Sequence, residues 1–486
     1  MKRLLIALLA ALLASCSMFP AYKRPEVNTP AEFRGAPAPL DAKSLADLSW
    51  WELYKDPVLD KLIATALQQN YDVRIAMARV AEFRAIGSVA GLGSIPQVSV
   101  GGGATRSRIS SVGATPLSAN VAPVRNSFDA EIDVSYELDL WKRIANLQAA
   151  ARADLFASEF ARDATRVSVV ASVASAYFSL RSLDQQLAIT ERTIETRAKF
   201  VELTRAQFSR GVVAGLDVNR AEANLATARA VLPDLKSQIA QTENLLQILL
   251  GENPAPIVRA TAADKFFPAP VEVPTGLPAA LLERRPDVRQ AENTLISANA
   301  RLNSVKASLF PTISLTGTLG SQSAALSNLF TGPAKIWSFG LGLLQPIIDV
   351  NRNTYQVDIY TAREQQAIVE YQQTVGQAFR EVSDALAARQ GSSERLAAQD
   401  DQVNALRAAR EQVMKRYNIG FSSYFEVIDA DTALFQAELT RVGAYQNSLN
   451  ALVQLYKALG GGWQSVADEQ TGDAPNAVQA EPSAAR

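Results

Sequence analysis

Residues 173–208 read VASAYFSLRSLDQQLAITERTIETRAKFVELTRAQF. Val173, Leu180, Leu187, Ile194, Val201 and Phe208 recur in them every seven residues, the spacing of a coiled-coil seam. Traced back to residue 144, the run predicts one helix about 100 Å long at 1.5 Å rise per residue. It stops at Ser209-Arg210-Gly211, and a second series begins at once with Val218, Leu225, Leu232, Ile239 and Leu246. Two such runs joined by a short Gly-containing turn predict an αα-hairpin. Taken alone, the pattern also fits a purely structural coiled coil.

The same plan occurs twice. Asp72-Val73-Arg74 returns as Asp287-Val288-Arg289, and Ile95-Pro96-Gln97-Val98-Ser99-Val100 as Phe310-Pro311-Thr312-Ile313-Ser314-Leu315, both 215 residues later. FSRGVVAGLDV (208–218) returns as YNIGFSSYFEV (417–427), and Leu250-Gly251 as Leu459-Gly460, both 209 residues later. The second copy has its own heptads: Val382, Leu396, Val403 and Tyr417, then Ile428, Phe435, Val442, Leu449 and Tyr456. Each copy reads helix, two strands, very long helix, turn, long helix. Pro233 predicts a kink in the return helix of copy one. The expected organisation is a signal peptide (1–15), an extended tail (16–55), repeat one (56–251), a Pro-rich linker (252–280), repeat two (281–463) and a polar disordered tail (464–486). Asp56-Pro57 is a helix start, and a second helix is expected from near Asp72 to about Gly93.

Composition removes much chemistry. The 486 residues carry a net charge of −1, no histidine and one cysteine, Cys16. No basic surface points to nucleic acid. Without His there is no imidazole base, no Ser–His or Cys–His nucleophile and no His/Cys metal site. No cofactor is expected beyond a covalent lipid. The four methionines, Met1, Met18, Met77 and Met414, form no metal-binding track. At the N-terminus, Lys2-Arg3 precede an apolar run from Leu4 to Leu13, too short to span a bilayer and typical of an export signal. Leu13-Ala14-Ser15-Cys16 looks like the bacterial lipobox, so Cys16 is expected to be lipidated. The non-acidic Ser17 favours the outer membrane, and acyl chains anchor at about 0.8 kcal/mol per buried methylene.

Between the helices of each copy lie alternating segments. In 127–137, Phe128, Ala130, Ile132, Val134 and Tyr136 share one face, and Asp129, Glu131, Asp133, Ser135 and Glu137 the other. In 335–345, Trp337, Phe339, Leu341 and Leu343 oppose Ser338, Gly340, Gly342 and Gln345. Segments 97–106 and 312–320 are weaker, Gly/Ser/Thr-rich partners. Each has about the 9–11 residues of a tilted transmembrane strand, with apolar-out, polar-in alternation. A soluble sandwich would alternate too, but an export signal, a lipid anchor and no apolar spanning helix favour a barrel. Four strands cannot close one, since small barrels need about eight, so several chains must share it. On that placement Asp129, Glu131, Asp133 and Glu137 line a lumen that prefers cations, or only keep it wet. Trp337 and Trp141 suit membrane interfaces.

The chain resembles the TolC family of outer-membrane factors, in the lipoprotein branch with OprM- and NodT-like proteins. The resemblance rests on Cys16, Trp50-Trp51 with Asp56-Pro57, YELDLW (136–141), LP (277–278) with LLERRPDVR (281–289), and YKALGGGW (456–463), and covers 16–463. It implies a mainly α fold with a membrane β-barrel portion: a trimeric α/β-barrel tunnel. Each chain would give four strands and a long coiled-coil helical barrel from its two repeats. It implies a homotrimer anchored in outer-membrane lipid and extending into the periplasm. The trimer would be a passive export channel in series with a periplasmic adaptor and an inner-membrane pump of the RND type. Phe425 and Asp429, four apart and so on one helix face, match family positions that form an apolar and an acidic ring at the periplasmic gate. Phe425 packed inside its own hairpin is the bland alternative. The family pattern has Arg three residues after the acidic position; here it is Thr432. Arg220, which copy one places where copy two has Asp429, is the candidate substitute partner. The turns Arg210-Gly211-Val212 and Asn418-Ile419-Gly420-Phe421 match adaptor contacts, although Gly at such ends is also simple helix termination. The competing functions are a periplasmic coiled-coil scaffold, which needs no strands, and a carboxylate hydrolase, for which the heptads leave no pocket.

Overall fold

A computed structural model describes residues 22–30, 32–35, 54–110, 122–259, 278–345, 347 and 350–461. The signal peptide, Cys16, Trp50-Trp51, most of the linker and the 464–486 tail lie outside the described residues. Helices α1 (Pro57–Gln69) and α2 (Tyr71–Leu92) precede strands β1 (Gln97–Arg108) and β2 (Val124–Glu137). Helices α3 (Arg143–Ser209) and α4 (Gly215–Leu250) follow. The second copy is the short α5 (Leu281–Arg284), α6 (Pro286–Ala307), β3 (Thr312–Ser323), β4 (Lys335–Leu344), α7 (Val350–Asn418) and α8 (Tyr424–Ala458).

The repeat is exact in places. Helices α2 and α6 are each 22 residues long and start 215 apart, and β1 and β3 are each 12 residues long at the same offset. Helices α4 and α8 start 209 apart. Their ends repeat as well. Gly211 and Gly420 have φ of 72° and 83°, a left-handed conformation that a Cβ disfavours. Val212 N–H donates to Gln207 O at 2.9 Å, and Phe421 N–H to Arg416 O at 2.9 Å, closing the same Schellman cap. Gly251 and Gly460 cap α4 and α8 alike, at φ of 76° and 82°.

Asp56 caps α1 as its sequence suggests, accepting from Val58 N at 2.9 Å with Pro57 in the first turn. Helix α2 starts at Tyr71, beside the expected Asp72, and is capped by Asn70, whose Oδ1 accepts from Asp72 N at 2.9 Å and Val73 N at 3.2 Å. The acid then lies in the first turn, where it favours the helix dipole. Helix α4 runs unbroken through Pro233.

The contact pattern divides the chain into two units. One comprises the described residues within Met1–Glu26, Val80–Ser158 and Ala291–Tyr371 and holds the sheet. Its order is β1-β2-β3-β4, every pair antiparallel. The register aligns the alternation across all four strands. Val100 faces Ile132, Ile132 faces Leu319, and Leu319 faces Trp337. One layer further, Val98, Val134, Gly317 and Phe339 align. These side chains make an apolar face open to the surroundings, with Trp337 79% exposed. The opposite face aligns Gly101, Glu131 and Gly320, and Ser99, Asp133, Thr318 and Ser338. In this unit Arg24 also holds Glu292 through two hydrogen bonds of 2.6 and 2.7 Å.

The other unit holds the core. Val173, Leu180, Leu246, Val382, Leu455 and Tyr456 are buried in one cluster with Leu59 and Ile63 of α1. The heptad residues thus fill a shared seam, as coiled-coil knobs do. Among the described residues no helix is long and apolar enough to cross a membrane.

Candidate functional site: a polar sheet face and a hairpin tip

The polar face belongs to the sheet unit. Asp129, Glu131 and Asp133 stand at every second position of β2, so they share that face with Glu137. Gly103 pairs with Asp129 and Gly320 with Glu131. A Cβ on Gly320 would lie 2.4 Å from Ala130 O, so the close approach of β3 to β2 needs glycine there. Asp133 accepts from Thr318 Oγ1 at 2.6 Å. Glu137 differs from the other three, because Arg143 holds both its oxygens at 2.9 and 2.7 Å. It pins the corner between β2 and α3, and its charge is paired. Asp139 caps α3 beside it through Ile144 N and Ala145 N. Trp141 donates its Nε1 to Pro311 O at 2.7 Å and stacks on Phe310 with ring centroids 5.1 Å apart. It therefore braces this corner, whereas Trp337 stands free on the apolar face.

The second candidate lies in the helical unit, where α3–α4 and α7–α8 turn. A cluster of Val201, Ala221, Leu225, Tyr424 and Val427, with Met414 of α7 packed against it, joins the four helices. Phe200 stacks on Tyr424 at 5.0 Å between centroids, and Tyr417 donates to Gln207 Oε1 at 3.2 Å. Burial pushes the Tyr424 phenol up. Around this core the tip is apolar and open: Val212, Ile419, Phe421 and Phe425 are all exposed. Arg210, Gly211, Asn418 and Gly420 are exposed too. The start of α8 is rigid. Ser423 and Glu426 form a capping box, and hydrogen bonds from Ser422 and from Ser423 N–H hold the Glu426 carboxyl below its ordinary value. Helix α4 has Ala214 at that point and no side-chain cap.

Phe425 is 58% exposed, so it does not pack inside the hairpin. Asp429, one turn on, is exposed as well. Arg220 lies 5.5 Å over the Phe425 ring, a cation–π contact between α4 and α8. Within the chain it makes no ion pair with Asp429, so the substitute partner expected for the acid instead holds the aromatic. Thr432 donates to Asn224 Oδ1 at 3.3 Å, a second tie from α8 to α4.

The strongest ties are residues the motifs did not single out. Asp431 accepts from Arg197 Nε of α3 at 2.8 Å and from Arg410 Nε of α7 at 2.9 Å. The Arg197 side chain is only 4% exposed and Asp431 14%. Seven residues on, Glu438 repeats the pattern with Arg192 of α3 at 3.3 Å and Arg407 of α7 at 2.7 Å. There the arginines are 59% and 60% exposed. Asp431 and Glu438 thus form two rungs that bind α8 to both long helices. Their heptad spacing was readable; their partners were not.

Comparison with known proteins agrees with this architecture. The model of the outer membrane efflux protein family matches twice, over 62–252 and 277–461, one match per repeat. The toluene efflux pump outer membrane protein TtgC of Pseudomonas putida is 35% identical over 475 residues, covering 96% of each chain. The cation efflux system protein CusC of Escherichia coli is 32% identical over 466 residues, covering 95% of this chain and 99% of its own. Among solved structures, the outer-membrane channel OprN superposes with a TM-score of 0.85 at 28% identity, over 93% of this chain and all of its own. The open MtrE channel of Neisseria gonorrhoeae gives 0.82 at 30%, over 92% and 99%. The chain belongs to the outer membrane efflux protein family, and it is an outer-membrane efflux channel.

Proposed function

We propose that three copies of this protein join their sheets edge to edge into one 12-stranded barrel, with the hairpins continuing as a helical conduit in the periplasm. The observation that carries this reading is the four-stranded sheet: among the described residues its outer strands β1 and β4 each have one unpaired edge, one face is apolar and exposed, and the other is polar. Unpaired edges must be covered or joined. Two copies would give eight strands, whose interior side chains fill; three leave an aqueous lumen. The acids of β2 then line the lumen and favour cations, with Glu137 neutralised by Arg143. Cys16 carries the lipid that anchors each chain to the outer membrane.

At the tip, Phe425 and Asp429 form the apolar and acidic rings of a periplasmic gate. Arg220 holds each Phe425 in place, and the Asp431 rung keeps α8 against α3. The turns at Arg210-Gly211-Val212 and Asn418-Ile419-Gly420-Phe421 receive the periplasmic adaptor, which couples the channel to an inner-membrane pump of the RND type. The conduit is passive, and the pump supplies the work. Native mass spectrometry of the detergent-solubilised protein tests the assembly. A dominant species of three chain masses is expected, and a monomer or dimer under conditions that keep the fold would overturn it.

A further inference from the structure

The register assigns every charged side chain of the sheet to a face. On β2, Arg125, Asp129, Glu131, Asp133 and Glu137 share the polar face. On the apolar face, the alternation that carries Val98 and Val100 along β1 continues to Arg106 and Arg108. The alternation that carries Leu343 and Trp337 along β4 ends on Lys335. Strand β3 has no charged residue. The apolar face therefore holds three cations and no acid, and all three lie at the end of the sheet remote from α2 and α3. At the helix end the same face is uncharged, with Val98, Tyr136, Leu315 and Leu343. Arg106, Arg108 and Lys335 are exposed, and among the described residues none of them has a side-chain hydrogen bond or ion pair. Their neighbours across the ladder are uncharged hydrogen-bonding residues, Asn126 opposite Arg106 and Ser321 opposite Lys335.

We propose that Arg106, Arg108 and Lys335 bind the phosphate groups of the anionic glycolipid in the outer leaflet of the outer membrane. This rests on the three-copy barrel proposed above, whose periplasmic helices put the cationic end of the sheet outermost. The heights agree. From Val98 to Arg106, and from Leu343 to Lys335, the strand climbs about 26 Å at about 3.3 Å per residue. At a tilt of about 40° that is about 20 Å of height, and Arg108 adds about 5 Å. The apolar band of such a barrel is about 25 Å tall, so the cations stand at its outer rim, with Trp337 just beneath Lys335 as in an aromatic girdle. Strand β1 runs toward this end and β4 runs back from it. Where β4 of one copy joins β1 of the next, Lys335 of the first and Arg106 and Arg108 of the second meet at one rim, giving one cationic site per seam. Guanidinium groups engage phosphate through two parallel N–H donors. Snorkelling alone would place basic side chains at both rims, and protection of unassembled edges would favour neither end. Cations at one rim only match an anion that occupies one leaflet only.

Native mass spectrometry of the detergent-solubilised full-length protein, titrated with diphosphorylated lipid A, tests this. The trimer is expected to bind lipid A, and to bind the same lipid stripped of its phosphates, or phosphatidylethanolamine, far more weakly. Arg106→Gln, Arg108→Gln and Lys335→Gln combined should keep the trimer mass and weaken lipid A binding by at least about tenfold, since each basic residue at an anionic lipid surface contributes about fivefold. Arg125→Gln, at the same end but on the polar face, should leave binding unchanged. Lipid A binding that survives the triple variant, or that needs no phosphate, overturns the assignment. A wild-type monomer would contradict the barrel instead. Phosphate-dependent binding by that monomer, lost in the triple variant, would keep the lipid contact without the seam, and no such binding would overturn both.

Discussion

Asp431→Ala and Glu438→Ala each remove a carboxylate held between an arginine of α3 and one of α7, yet the burial of those arginines separates their effects. At Asp431 the truncation strands Arg197, whose side chain is 4% exposed. Breaking a buried pair from one side costs about 3–5 kcal/mol. Arg410, at 30% exposed, lets water reach one side of the rung, so the lower end, about 3 kcal/mol, applies. If opening draws α8 away from α3, that loss falls on the closed state. At about 1.4 kcal/mol per tenfold it raises the open-to-closed ratio roughly 100-fold. At Glu438 the acid is 12% exposed but both arginines are more than half exposed, so truncation leaves no buried charge behind and the loss is that of a surface pair, about 1 kcal/mol. The ratio then moves by about fivefold or less. Open probability in planar bilayers, recorded for both variants beside the wild type at one salt concentration, reads this contrast. Equal effects of the two substitutions, or a closed Asp431→Ala channel, would refute the burial argument.

Asp129→Asn, Glu131→Asn and Asp133→Asn combined should lower the cation-to-anion permeability ratio in reversal-potential measurements, whereas neutralising the paired Glu137 should hardly change it. An unchanged ratio in the triple variant would remove these acids from the lumen. Asp60 supplies a pH test. Its Oδ1 is buried without a partner, and burial, then the Asp56 charge, raises its carboxyl to about 6. A folded value above the unfolded one means that the stability it contributes is fully present below about pH 4 and lost as pH rises through 6. Asp60→Asn should therefore raise the unfolding midpoint at about pH 8 and leave it unchanged near pH 4; equal gains at both would contradict the assignment.

The elements were legible because their periods are local properties. The heptads of α3 and α8 and the alternation of β2 and β4 can be read from consecutive residues, and the offsets of 215 and 209 mark the repeat without any structure. The glycine caps were legible for the same reason: Gly211 and Gly420 sit where the heptads stop. The start of α2, expected near Asp72, falls at Tyr71, but its cap was not singled out, because Asn70 and Asp72 are both good cap residues and only the backbone chooses between them. Tertiary partners were less accessible. The Arg197–Asp431 pair spans 234 residues, and a heptad pattern sets which face of a helix is buried without setting which neighbour it meets. The position of Arg220 near Phe425 and Asp429 followed from the repeat, but its reach to the Phe425 ring rather than to Asp429 depends on side-chain geometry. Glu137 looked like its three fellow acids until the strand-to-helix corner brought Arg143 onto it.

The central claim is a closed conduit gated at the hairpin tip. Single-channel conductance of the purified protein in a planar bilayer, beside a Phe425→Ala/Asp429→Ala double variant, tests it most directly. A small wild-type conductance that rises sharply in the variant is the predicted result. Silence from both, with the protein shown to be folded and inserted, would contradict the channel and leave a coiled-coil scaffold.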